Sequence, residues 1–275
     1  MAAHIRQFPR IHAASIPLFL VFLFAGCEET IDLDLDQMEE RLVIEAVVSD
    51  KAGMSNVKLS FTENIYRRSQ ARKAIGAVVT LSDDLGNSEV LGQVQPGLFT
   101  PTKIQGMINR EYKLNVAFEG INYSAVSRMP EPMALDSIRT EVSSFDIFFG
   151  RSVTLTYYLT NKPGVEEFCV IRAYNPGEGT FHWDVYSDRN SDGRQAALRG
   201  PSFSAYGTSV RVEVISIDKA TYEYLRALEG ISGENGLEVP DVFRINDFNP
   251  KSNITNDALG YFSAQSQKDY VVRLR

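Results

Sequence analysis

Acid–base, nucleophilic and zinc chemistry draw on histidine and cysteine. This chain of 275 residues is short of both, with three histidines and two cysteines. His4, His12 and Cys27 fall near the start, which leaves His182 and Cys169 for the rest of the chain. Zinc needs several such ligands, and serine or cysteine nucleophiles usually need a histidine base, so most of those constellations cannot be built within one chain. In Phe181-His182-Trp183-Asp184-Val185, strand alternation sends Phe181, Trp183 and Val185 toward a core and puts His182 and Asp184 together on the other face. Side chains two apart on a strand face are roughly 7 Å from each other, too far for a direct hydrogen bond. A His–Asp catalytic pair is therefore not expected, and Trp183 reads as a buried anchor or, if exposed, as a platform for a sugar ring. Asp188-Arg189-Asn190-Ser191-Asp192-Gly193 matches the first half of a calcium loop, yet Arg199 stands where a bidentate glutamate should close it. A polar turn between strands is the expectation. Cys169, in Phe168-Cys169-Val170-Ile171, reads as a buried inert thiol. No catalytic, metal-binding or cofactor-binding residue is assigned, and paired carboxylates are the hydrolytic chemistry left open.

Cys27 points to a different chemistry, lipidation. Residues 1 to 14 carry Arg6 and Arg10 and no acid, and Ile16 to Phe24 are apolar apart from Pro17, as in the first two regions of a secretory signal. The run is shorter than the about 20 apolar residues a transmembrane helix needs. Ala25 and Gly26 then precede Cys27, as in the lipobox of bacterial lipoproteins, with Phe24 where that motif usually has leucine. Residues 1–26 thus read as a lipoprotein signal peptide and Cys27 as the lipid attachment site, carrying a diacylglyceryl group and palmitate-type chains. The alternative is an ordinary cysteine after a cleaved signal. Buried acyl chains gain about 0.8 kcal/mol per methylene, so two or three of them form a membrane anchor. Glu28 and Glu29 follow at once, like the signal that exports Bacteroidota lipoproteins to the cell surface. The expected location is the outer membrane, facing outward. With Cys27 acylated, Cys169 has no disulfide partner. Loss of Arg6 and Arg10 with the leader takes the formal charge from −7 to −9, and so acidic a chain is not expected to bind nucleic acid.

The elements that hold the remaining residues are strands. Residues 27–40 alternate Ile31, Leu33 and Leu35 with Asp32, Asp34 and Asp36 and then turn polar, which suits an acidic tether or a short edge strand. Leu42, Ile44, Ala46 and Val48 share one face, as do Val57, Leu59 and Phe61, and Tyr112, Leu114, Val116 and Phe118. Asp50-Lys51-Ala52-Gly53, Asp83 to Asn87, Gln95-Pro96-Gly97 and Glu119-Gly120 supply turns. Short strands so spaced indicate an antiparallel sandwich over 41–129, and the order Gly76 to Leu81, Asp84-Leu85-Gly86, Gly97-Leu98-Phe99, Tyr112-Lys113-Leu114 resembles immunoglobulin-like or transthyretin-like modules. Met129-Pro130-Glu131-Pro132 opens a stiff proline linker, 130–135. A second antiparallel β domain follows over 136–275, with strands at Ser152–Leu159, Glu167–Tyr174, Phe181–Tyr186, Ser209–Ile217 and Tyr270–Leu274. Its one short helix, 218–229, has Asp218 as N-cap, Tyr224, Leu225 and Leu228 as its apolar face and Gly230 as its stop. A single helix among strands is expected to cover an open end or edge of a sheet, with a surface loop from Gly230 to Val239 after it.

Three further stretches carry two readings each. Arg67, Arg68, Arg72 and Lys73 form a basic run in an acidic chain, either a solvated loop or a contact for an acidic partner. Asp136-Ser137-Ile138 resembles the short sequon for O-glycosylation of exported Bacteroidota proteins, or is a plain strand start. Asn246-Asp247-Phe248-Asn249-Pro250, Ser252-Asn253-Ile254 and Leu259 to Ala264 mark either hydrogen-bonded turns or recognition loops on a rigid scaffold.

Taken in order, these pieces resemble a Bacteroidota family of outer-membrane lipoproteins known as a domain of unknown function, the forty-two forty-nine family. The resemblance runs over nearly the whole mature chain. It rests on Cys27-Glu28-Glu29, on Ile31 to Leu35 before Leu42-Val43-Ile44-Glu45, and on Asp136-Ser137-Ile138. It continues with Ile217-Asp218 before Tyr222 to Leu225, and Ser252-Asn253-Ile254 before Gly260-Tyr261-Phe262. That family usually has a glycine pair near Asp257-Ala258, absent here. Similar proteins are often encoded beside TonB-dependent receptors, which implies an accessory role at such a receptor, and the family supplies no catalytic residue to carry over. The expected function is a non-enzymatic surface lipoprotein that docks on a TonB-dependent receptor and helps capture a glycan, peptide or other nutrient. The alternatives are a structural or adhesive surface module and, last, a carboxylate-based hydrolase.

Overall fold

The computed structural model describes residues 40–62, 72–142, 152–204, 207–232 and 250–275. The signal peptide, Cys27, most of the tether, Arg67, Arg68 and Asn246–Asn249 lie outside them. Residues Glu40–Arg275 belong to one compact unit. Its fifteen described strands make it mainly β, with one helix, α1 (Lys219–Ser232).

The first half contributes β1 (Leu42–Ser49), β2 (Asn56–Phe61), β3 (Val78–Asp83), β4 (Ser88–Val90), β5 (Gly92–Gln95), β6 (Leu98–Thr100), β7 (Glu111–Phe118) and β8 (Ile121–Arg128), of which β1, β2 and β7 carry the alternation read from the sequence. Ile44, Leu59, Leu81, Leu114 and Val116 are buried in one core between the β4-β3-β7-β8 sheet and the β1, β2 and β6 region of an eight-stranded sheet. The second half contributes β9 (Ser137–Val142), β10 (Val153–Thr160), β11 (Phe168–Asn175), β12 (Thr180–Ser187), β13 (Gln195–Phe203), β14 (Ser209–Ser216) and β15 (Leu259–Arg273). A three-stranded sheet, β13-β10-β9, closes a second core built on Leu155, Tyr157, Ile171, Val212 and Val214.

β15 belongs to both halves. The expectation of a last strand at Tyr270–Leu274 is corrected to fifteen residues, about 50 Å of extended chain. Leu259–Gln265 pair in parallel with β1, and Ser266–Arg273 pair antiparallel with β14. The eight-stranded order β12-β11-β14-β15-β1-β2-β6-β5 is therefore one continuous sheet across both cores. Even-numbered residues at both ends of the strand face the cores: Phe262 and Ala264 complete the first, and Tyr270, Val272 and nearby Leu274 belong to the second.

Each half of β15 has one neighbouring strand fewer than a central strand needs, and side chains make up the deficit. Asn253 accepts from the Phe262 N–H (2.9 Å) and donates to its carbonyl (2.7 Å), reproducing the pair of bonds a strand residue would make. Ser127 Oγ accepts from the Ala264 N–H (2.8 Å), and Asp50 Oδ1 from the Gln267 N–H (3.1 Å). The proline segment is bound to the same strand rather than spanning free space. Ser266 Oγ donates to the Pro130 carbonyl, and the Leu135 N–H donates to the Tyr270 hydroxyl. Met129 and Met133 are buried in the first and second cores, on either side of it.

α1 lies on the outer face of the sheet at its edge strand β12: Tyr222 and Leu225 pack with Phe168, Val170, Ile215 and Ile217, and the Phe168 and Tyr222 rings lie 4.8 Å apart. Asp218 caps it as expected, accepting from the Thr221 N–H at 2.8 Å. The helix runs past the expected stop at Gly230 to Ser232, as glycine weakens a helix by only about 1 kcal/mol.

Candidate functional site

Strand β12 follows the expected alternation, but with its faces exchanged. Pairing with β11 sets His182 opposite Ala173 and Asp184 opposite Ile171, both in the second core. Trp183 lies on the outer face against the helix-covered cluster, as an anchor and not as an exposed platform. β12 is an edge strand with α1 against one face and the second core beside the other, and its residues are half-buried apart from Phe181 and His182, which are exposed. His182 meets the Phe203 ring edge-on at 5.6 Å. Burial, with the nearby Glu229 carboxylate adding to it, pushes Asp184 above the usual carboxylate range against the opposing pull of His182. The Tyr157 hydroxyl, fully buried close by, has no hydrogen-bond partner, and its burial raises its ionisation far above the ordinary phenol. No hydrogen bond joins His182 to Asp184 among the described residues.

The Asp188–Gly193 stretch is a turn organised around an amide. Ser187 caps a short 3-10 turn, Asp188–Asn190. The Asn161 amide nitrogen sits among the Ser191 carbonyl (2.9 Å), Ser191 Oγ (2.9 Å), the Tyr186 hydroxyl (2.9 Å) and the Arg194 carbonyl (3.1 Å). In a calcium loop that last carbonyl would be the seventh-position ligand. Asp192 is engaged by the Gly164 N–H at 2.7 Å. No group of three or more His, Cys, Asp or Glu side chains among the described residues is arranged to hold a metal ion. Cys169 is buried and free, and burial drives its thiol well above the usual range.

The other stretches have structural roles where they are described. Arg72 pairs with Glu119 and lies over the Phe61 ring at 4.6 Å, so this member of the basic run is held by its own fold. In Asp136-Ser137-Ile138, Asp136 accepts from Thr160 Oγ1 (2.8 Å) and Gln195 Nε2 (2.9 Å), bonds that hold its carboxyl below the usual range, while Ser137 is exposed. Thr255 and Asn256 follow Asn253 and bind the edge of β8. The Thr255 N–H donates to the Ser124 carbonyl (2.9 Å) and the Asn256 amide to the Asn122 carbonyl (2.6 Å). Asn256 and Asp257 both have positive φ, 58° and 56°. That is the left-handed region glycine enters freely and Asn or Asp tolerate, so the turn keeps its shape without a glycine pair.

Cross-strand register brings together a patch that spacing along the sequence does not show. Phe181 pairs with Tyr174, Tyr174 with Arg211, and Arg211 with Val271, so four strands place these side chains in one row on the outer face. Phe181 is 49% exposed, Tyr174 44% and Val271 75%. The next row, Trp183, Arg172, Glu213 and Asp269, is tied by ion pairs of Arg172 with Glu213 (2.6 Å) and of Lys51 with Asp269 (3.2 Å). Beyond it α1 covers the apolar cluster. The exposed row is thus the open remainder of a face otherwise covered or paired. Tyr174 ends a strand that reads as all core, so nothing in its own segment singles it out.

The fold and these sites define a scaffold of two β-sandwiches that share a strand, with acidic, aromatic and guanidinium groups on a rigid sheet. The chain belongs to the family described as Domain of unknown function (DUF4249), whose match covers residues 28–270. No curated protein matches it. Among solved structures it is similar to a cytokine receptor complex (8% identity, 84% of this chain and 95% of that one, TM-score 0.22). It is also similar to the chicken interferon gamma receptor alpha chain (7% identity, 65% and 89%, TM-score 0.18). Scores this low carry no argument about fold or function.

Proposed function

We propose that this protein is an outer-membrane lipoprotein, facing the cell surface, that works without catalysis as an accessory of a TonB-dependent receptor, docking on it and helping to capture a nutrient. The observation that carries the reading is where the family match begins, at residue 28, directly after Cys27. The part shared across the family starts one residue after the cysteine that leader cleavage would make the mature N-terminus. The rest is consistent with a scaffold, since conspicuous polar residues such as Asn161 and Asn253 serve the fold. The TonB-dependent partner rests on the family resemblance.

The test is purification of the full-length lipoprotein from outer membranes in mild detergent, followed by mass spectrometry. Recovery with a TonB-dependent receptor is expected; recovery alone would favour a structural or adhesive module. The hydrolase reading can draw on Asp184 and Glu229, whose charge bears on Asp184. Product formed from a glycan and peptide panel, and lost in Asp184→Asn, would establish that reading instead.

A further inference from the structure

We infer that the exposed outer row of the second sandwich is a binding site for an acidic oligosaccharide. Tyr174 and Phe181 would stack on its sugar rings and Arg211 and Arg273 would take its carboxylates. The inference rests on the proposed role as a binding component and names a ligand class and a place for it.

Three features of the row select this ligand. The first is its shape: Phe181, Tyr174 and Arg211 stand opposite one another on neighbouring strands, so the rings project from one face of the sheet about 4.8 Å per strand apart. Pyranose C–H groups carry slight positive charge and are attracted to the negative face of an aromatic ring. The second is charge. Ser209 pairs with Arg273, which places this exposed arginine one row beyond Arg211 on the same face. Neither arginine has an ion-pair partner within 4.0 Å among the described residues, whereas Arg172 in the next row is paired with Glu213. Two guanidinium groups outside any ion pair, although Arg211 acts through space on Asp269 in the next row, stand beside exposed rings in a chain of formal charge −7 and fit a ligand with carboxylates, which arginine can hold through two parallel hydrogen bonds. The third is size. Phe181, Tyr174 and Val271 together expose on the order of 300 Å². A stable protein partner would bury roughly 800 Å² on its side, so the row alone is too small for one and large enough for a few sugar rings.

The experiment is isothermal calorimetry of the full-length protein in detergent micelles. The probes are oligogalacturonate, a neutral oligoglucose of equal length and a poly-glutamate peptide. Oligogalacturonate is expected to bind, with affinity falling as salt rises. The Tyr174→Ala, Phe181→Ala double variant should lose at least tenfold, and Arg211→Gln, Arg273→Gln should lose most of the salt dependence. All four side chains are exposed, and unchanged thermal unfolding of each variant confirms that loss of binding is not loss of fold. Absence of oligogalacturonate binding, equal binding after either double substitution, or preference for the peptide overturns the inference. Receptor co-purification of the same variants separates the two proposals. Variants that still recover the receptor while the native protein ignores the sugar refute this site alone, and native protein that recovers no receptor refutes docking alone.

Discussion

Replacing Asn253 with alanine removes the two hydrogen bonds that let the first half of β15 do without a neighbouring strand. The lost bonds are 2.9 Å from the Phe262 N–H and 2.7 Å to the Phe262 carbonyl, and Phe262 is 0% exposed. An orphaned buried polar group costs about 1–3 kcal/mol. Two such groups, partly relieved by water because Asn253 itself is half-buried, should cost about 2–4 kcal/mol. In a body of this size 1 kcal/mol moves the midpoint about 2–4 °C, so the expected fall is roughly 4–16 °C. Urea unfolding should be followed by circular dichroism, which sees all strands, and by fluorescence of the single tryptophan, Trp183, which lies in the second half. Because β15 pairs with both β1 and β14, both signals should shift together although Asn253 supports the first core. Asn56→Ala, which loses one exposed bond to the Met54 carbonyl, is the control and should change stability by less than about 0.5 kcal/mol. A Trp183 transition that stays in place while circular dichroism moves would refute the shared-strand account, and so would a loss below about 1 kcal/mol.

Other perturbations follow from single features. Glu89 is 7% exposed; its burial opposes ionisation, but bonds from Thr102 Oγ1 and from the Thr102, Lys103 and Ile104 N–H groups prevail and hold its carboxyl at about 2. A depressed folded-state value gives stability that is present above pH 4.5, the ordinary value, and lost as pH falls toward 2. Glu89→Gln should flatten that acid limb of a stability–pH curve by up to about 3 kcal/mol. Gly260 has φ +95°, and a Cβ there would lie 2.1 Å from the Ile44 carbonyl oxygen. Gly260→Ala should therefore cost more than about 3 kcal/mol in urea unfolding. Asp257→Val puts a β-branched residue at φ 56° and should cost about 1–3 kcal/mol, whereas Asp257→Gly should be tolerated, as a thermal melt would show. Calorimetry with calcium is expected to stay flat, because Asn161 already bonds the Arg194 carbonyl; a saturable signal would contradict the amide-centred turn.

Much of the first sandwich was legible because its strands alternate strictly: Leu42 to Val48 and Tyr112 to Phe118 bury every second side chain. β13 was not, since Gly200-Pro201 interrupts it and its pairing with β10 slips at that point. The middle of β15 was not either. Ser263 to Lys268 passes the joint between cores, where small and polar side chains face both ways, so the apolar period vanishes although the backbone stays extended. Asn253 and the turn after it could be read as structured, but their partner Phe262 lies across that joint. On β12 the period was visible and its direction was not, because α1 gives the strand a second covered face. The Phe181–Tyr174–Arg211 row was illegible for a general reason: it is a property of register between strands, and no single segment contains it.

The proposed place of this protein at the cell surface depends on one sulfur atom. Intact mass spectrometry of the native polypeptide extracted from membranes is predicted to show a chain that lacks residues 1–26 and begins at Cys27 with a diacylglyceryl group. Cys27→Ser should leave the membrane fraction. A free Cys27 thiol, or a chain that retains its leader, would contradict the lipid anchor and with it the proposed place at the cell surface.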